Sequence, residues 1–150
     1  MRVYLVIIDE TEEARAALHF AARRAAKTDG TVHILALVAP QSFNAFGGVQ
    51  ATIEAEARDR AEVLATGAAG NILSESGRMP TIAVRVGEGK DVVRDYLAEH
   101  PEVAALVLGA AAEGNPGPLV SHFTMNAGAL HCPVFVVPGS LSSEDIDRLS

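Results

Sequence analysis

Val3-Tyr4-Leu5-Val6-Ile7-Ile8-Asp9-Glu10-Thr11 is the stretch whose reading sets the fold class. An unbroken apolar run rich in β-branched residues reads as a strand covered on both faces, because a half-exposed strand would alternate with polar residues. Asp9 closes the run, and Thr11 can cap a helix. Beyond it Ala14, Leu18, Ala21, Ala22 and Ala25 recur at helical spacing. Glu12 and Glu13 stand at the start of this segment and Arg23, Arg24 and Lys27 near its end, both placements complementing the helix dipole. Gly30 is expected to end the helix in a left-handed conformation.

The same alternation continues outward. Apolar strands are expected at residues 31–38 (interrupted only by His33), 81–86, 103–108 and 133–137. Between them lie a helical stripe of Val49, Ile53, Ala57, Ala61, Leu64, Ala68 and Ile72, a short helix carrying Val92, Val93, Tyr96 and Leu97, and a weaker helix at 121–130 that contains Gly128. Residues 40–48 and 109–120 read as loops. Strands alternating with helices predict an α/β fold with a parallel sheet covered on both faces and joined by right-handed crossovers. The 150-residue chain reads as one domain over residues 1–139 with a polar tail at 140–150.

Composition removes several function classes. The formal net charge of -7 disfavours a broad nucleic-acid footprint. With no Trp, five Phe and two Tyr, stacking platforms for single strands are not expected either. The N-terminal apolar run is too short to span a bilayer and lacks the pattern of a secretory signal, so no membrane insertion and a cytoplasmic location are expected. A single cysteine, Cys132, permits no intramolecular disulfide and no cysteine-based zinc site. It reads as a small buried hydrophobe.

In sheets of this class ligands bind beyond the carboxyl ends of the strands, where strand order reverses. That places the search at Asp9-Glu10-Thr11, residues 38–48, 87–90 and 109–121. The segment Gly109-Ala110-Ala111-Ala112-Glu113-Gly114-Asn115-Pro116-Gly117-Pro118-Leu119-Val120-Ser121 leaves a buried strand and enters a helix. Glycines there would let backbone N–H groups approach a phosphate, with the Ser121 hydroxyl and the helix dipole assisting; turn geometry alone would also account for them. The loop has no lysine and is not a P-loop. Asp9 could accept hydrogen bonds from a ribose or an adenine, or cap the following helix. The five histidines form no metal-ligand cluster by spacing, and His122, beside the loop, is the one worth testing. No G-x-S-x-G elbow and no nucleophile–histidine pair is visible.

Taken together, Val6-Ile7-Ile8-Asp9, Lys27-Thr28-Asp29-Gly30, Leu37-Val38-Ala39-Pro40, Val86-Gly87-Glu88-Gly89, Leu106-Val107-Leu108-Gly109 and Cys132-Pro133-Val134-Phe135-Val136-Val137 resemble, in order and spacing, the universal stress protein family. The resemblance implies an open five-stranded parallel sheet of order 3-2-1-4-5, of the adenine-nucleotide alpha-hydrolase type, and a homodimer formed through the closing strand, Pro133 to Val137. It implies ATP or another adenine nucleotide as ligand, with Mg2+ only alongside the nucleotide. The base and ribose would meet Ile8, Asp9 and Val38; the phosphates would meet Gly109, Gly114, Gly117 and Ser121. The family's binding members carry G-x2-G-x9-G-[ST] after the fourth strand. Here Gly109 matches the first glycine and Ser121 the hydroxyl, but Ala112 and Val120 replace the other two glycines, and the loop is two residues shorter. Val120 is poorly suited to positive φ, so any cradle would have to be rebuilt on Gly114 and Gly117. The implied role is a nucleotide-binding stress sensor or regulator. The alternative is a non-binding dimeric interaction module with a vestigial pocket. With no general base and no loop cation, no catalytic residue is assigned and any ATP hydrolysis would be slow.

Overall fold

The computed structural model describes residues 1–40 and 47–150, with side chains in the second helix described from residue 52 onward. Most of the loop expected at 40–48 lies outside the described residues. The elements in chain order are β1 (Val3–Ile8), α1 (Glu12–Lys27), β2 (Thr31–Val38), α2 (Gly47–Ser76), β3 (Thr81–Val86), α3 (Gly89–Glu99), β4 (Val103–Ala110), α4 (Pro118–Met125), β5 (Val134–Pro138) and α5 (Ser143–Leu149). The strands form one parallel sheet of order β3-β2-β1-β4-β5, as expected.

Alternation along β1 divides the core into two layers. Tyr4, Val6 and Ile8 face the layer filled by α1, α2 and α5, with Ala17, Ala21, Ala65 and Ala69 letting the helices approach closely. Val3, Leu5 and Ile7 face the layer of α3 and α4, with Val93, Tyr96 and Phe123. The β1–β4 register shifts by one residue between Val3 and Tyr4, so that Ala105 and Val107 face one layer and Leu106 and Leu108 the other.

Thr11 caps α1 by accepting from the Ala14 N–H at 3.2 Å, and Asp9 Oδ1 holds Thr11 in place by accepting its N–H (2.9 Å) and its hydroxyl. Asp9 therefore acts one step behind the cap.

Four local expectations change. Asp29, not Gly30, takes the positive φ of 55° after α1. Gly30 is needed because a Cβ there would lie 2.6 Å from the Arg2 carbonyl oxygen. α4 starts at Pro118 rather than Ser121, because a proline at the first helical position has φ preset and needs no N–H partner. It ends at Met125, leaving Gly128 in a separate 3-10 turn (Ala127–Ala129). β5 begins at Val134; Pro133 precedes it and uses only its carbonyl, which accepts from the Leu106 N–H at 3.0 Å. Residues 140–150, read as a polar tail with room for a last turn, form a full helix, α5, over Ser143–Leu149. It is capped by Ser142 and buries Ile146 (2% exposed), and it is tied to α1 by Lys27 Nζ donating to the Asp147 carbonyl at 2.6 Å. The seven residues of α5 carry only Ile146 and Leu149 as apolar positions, too few for a helical period to register.

Candidate functional site

α1 lies on one side of the sheet and α4 on the other, and the β1–β4 pairing stops at Val6 and Val107, short of the carboxyl ends at Ile8 and Ala110. Two adjoining clefts open there. The first, about 390 Å³, lies between β1, β2 and α2 and is lined by Ile8, Asp9, Val38, Ala57, Arg60 and Leu64, among others. The second, about 230 Å³, lies between α1, β4 and the start of α4; its walls include Asp9, Thr11, Glu13, Gly109, Gly117 and Leu119. Asp9 and Thr11 belong to both.

Of the residues expected at the site, Ile8, Asp9 and Val38 come together in the first cleft, and Asp9, Gly109 and Gly117 in the second. Gly114 and Ser121 line neither. Gly114 has φ 73° in the turn before α4, and nothing approaches within 4 Å of where a Cβ would stand. Ser121 sits one turn inside α4, half-buried, its N–H donating to the Gly117 carbonyl at 3.1 Å. Gly109 lines the second cleft, but its missing side chain admits α1: a Cβ there would overlap the Glu13 carbonyl group. Val120 lies in the helix with its side chain buried, so no positive φ is asked of it; the left-handed turns fall on Gly114 and Gly117 instead.

Pro118 has no N–H and Ser121 already donates, so among the described residues the N–H groups of Leu119 and Val120 are the donors left without a partner at the α4 start. The entry loop is held by the Ala111 N–H donating to the Pro116 carbonyl (3.2 Å) and the Gly117 N–H donating to Asn115 Oδ1 (2.9 Å).

Arg60 in the first cleft and Glu13 in the second are charged lining residues that sequence reasoning missed. Arg60 stands three residues after Ala57 and four before Leu64, at the border of the α2 stripe, and only the packing of α2 over β1 and β2 brings it beside Asp9. His122 lines neither cleft, and its ring meets Phe123 edge-on at 4.9 Å. Burial pushes the Cys132 thiol up, and its side chain packs against the α3–α4 layer, in keeping with a packing role. Among the described residues no group of three His, Cys, Asp or Glu is placed to hold a metal, and no helix is long and apolar enough to cross a membrane.

Comparison with known proteins agrees with this architecture. The chain is similar to the universal stress protein UspA from Lactobacillus plantarum at 20% identity, covering 91% of this chain and 97% of that one, with a TM-score of 0.78. It is similar to a universal stress protein solved in complex with cAMP at 16% identity, covering 93% and 98%, with a TM-score of 0.59. A universal stress protein family member from Arabidopsis thaliana with AMP bound matches at 16% identity over 92% of each chain, with a TM-score of 0.57. No curated protein sequence matches significantly. At these identities the structural likenesses speak for the fold alone. The family model for universal stress proteins matches residues 1–138, from the first strand to the end of β5. The chain therefore belongs to the universal stress protein family.

Proposed function

We propose that this protein is an adenine-nucleotide-binding regulator of the stress-response type. The observation that carries the reading is the meeting of two clefts at Asp9, at the point in the sheet where strand order reverses. The base would occupy the first cleft against Ile8 and Val38, and Asp9 would accept from the ribose. A phosphoryl group would enter the second cleft toward the Leu119 and Val120 N–H groups at the start of α4. Two relatives whose structures hold cAMP or AMP support the reading by analogy. Mg2+ would accompany a nucleotide rather than occupy a site of its own.

Isothermal titration with AMP tests this. Binding is expected, and Asp9→Asn, which keeps an acceptor for Thr11, should weaken it about tenfold by removing the charged acceptor. No heat and no thermal shift at roughly millimolar AMP, a concentration that would reveal even weak binding, would overturn the reading. That result would favour a non-binding interaction module, for which Gly114 and Ser121 standing outside both clefts is the supporting observation.

The proposal includes a homodimer. β5 pairs with β4 on one side only, and Val136 on it is 39% exposed. An apolar edge strand of this kind is a template for a second copy. Light scattering should give twice the 15.7 kDa chain mass; a monomer at micromolar concentration contradicts this.

A further inference from the structure

The second cleft has an unusual charge pattern for a place that would receive phosphates. Two acidic residues, Asp9 and Glu13, line it, and among the described residues no lysine or arginine does. The cation of the paired clefts, Arg60, lies in the first, on the far side of Asp9. Glu13 is half-buried, and its side chain has no hydrogen-bond or ion-pair partner among the described residues. The first turn of α1 is fitted closely against the end of β4 and against Gly139. The Glu13 backbone is pressed against Gly109, and a Cβ on Gly139 would lie 2.9 Å from Glu13 Cβ. On the opposite wall Pro116 and Pro118 have no N–H to offer. Among the described residues, the donors left on that wall are the N–H groups of Leu119 and Val120.

Two backbone donors at a helix start can hold one phosphoryl group. Each further phosphate adds negative charge within a Debye length of Glu13, in a cleft of about 230 Å³. We infer that the site takes adenine ligands with at most one phosphoryl group (the nucleoside, its monophosphate or a cyclic monophosphate) and rejects the triphosphate, with Glu13 setting the discrimination. The inference rests on the nucleotide-binding reading above and adds to it the ligand class and the residue that selects it.

The test is titration of the unmodified chain and of Glu13→Gln with adenosine, AMP and ATP in the presence of EDTA, which keeps Mg2+ from masking the phosphate charge. In the unmodified chain AMP is expected to bind at least about tenfold tighter than ATP, and adenosine within about threefold of AMP. Raising ionic strength from about 0.05 M to 0.5 M should shrink the AMP-to-ATP ratio, because the penalty is Coulombic. Glu13→Gln should tighten ATP about tenfold and leave AMP within about threefold. The ratio is internal to each protein, so partial misfolding of the variant cancels, and the unmodified chain needs no variant at all. ATP binding as tightly as AMP in the unmodified chain overturns the inference and leaves nucleotide binding standing. An unchanged ratio in Glu13→Gln overturns the role of Glu13. Failure of all three ligands removes the nucleotide reading itself, and the inference with it.

Discussion

Gly109→Ala is expected to destabilise the protein by about 3 kcal/mol or more, lowering the melting temperature by roughly 10 °C for a chain of this size. The new Cβ would overlap the carbonyl group of Glu13, which is backbone in the first turn of α1 and cannot rotate aside. Relief requires moving α1 away from β4, and α1 also buries Ala14, Ala17 and Ala21 against the sheet, so the shift would open the core along the helix. Gly114→Ala is the contrast within the same loop. There φ is 73° and nothing stands within 4 Å of the new atom, so only left-handed strain of about 1 kcal/mol is added. Urea midpoints of the two variants check the pair. Equal midpoints would show that the close approach of α1 to Gly109 does not set the stability.

Tyr96→Ala should cost about 4 kcal/mol, in the range for deleting a buried aromatic ring. Tyr96 is 2% exposed on α3 and joins several elements. Its hydroxyl lies 2.8 Å from His33 Nδ1 on β2, its ring stacks on His100 at a centroid distance of 4.1 Å, and the Arg85 guanidinium on β3 lies 4.9 Å from its centroid. Arg85 is in turn held by Glu99 at 2.8 Å. Tyr96→Phe keeps the ring but leaves the buried His33 nitrogen without its partner, a loss of about 1–2 kcal/mol. The same cluster makes stability depend on pH. Burial, and secondarily the neighbouring His100, hold His33 below its ordinary value of 6.5, while Glu102 pulls weakly the other way. As pH falls through 6.5 the unfolded chain takes up this proton before the folded one does. The contribution of neutral His33 is therefore present above pH 6.5 and is lost on going below it, at up to about 1.4 kcal/mol per pH unit. Glu99 and Glu102, both held below the ordinary carboxylate value by Arg85 and by hydrogen bonds respectively, lose their contributions only at more acidic pH. Urea unfolding between pH 6.5 and about 5 should show the slope in the unmodified chain, and His33→Gln should flatten it. A slope that survives His33→Gln would place the titrating group elsewhere.

The strands were legible because each is an apolar run bounded by turn residues, a pattern local to the sequence. Thr11 was legible as a cap for the same reason. The start of α4 was not, because Gly114, Asn115, Pro116, Gly117 and Pro118 all read as loop until a helix follows directly on Pro118. Arg60 was not, because on α2 it is one exposed charge among several, and its place beside Asp9 depends on how α2 crosses the sheet. The partnership of His33 with Tyr96 joins residues 63 positions apart. Neither residue carries a mark of it in the chain.

The sequence by itself therefore determined the order of strands and helices, the buried character of the sheet and the position of Asp9 at a strand end, since these follow from periodicity and from caps within a few residues. Only the tertiary structure decided which glycines serve packing and which serve turns, and which charges face the clefts. Gly109 is committed to the backbone of Glu13, and Glu13 rather than a cation lines the second cleft among the described residues. Such contacts arise between segments about a hundred residues apart, and the close approach of helix to strand that creates them is set by packing of the whole core.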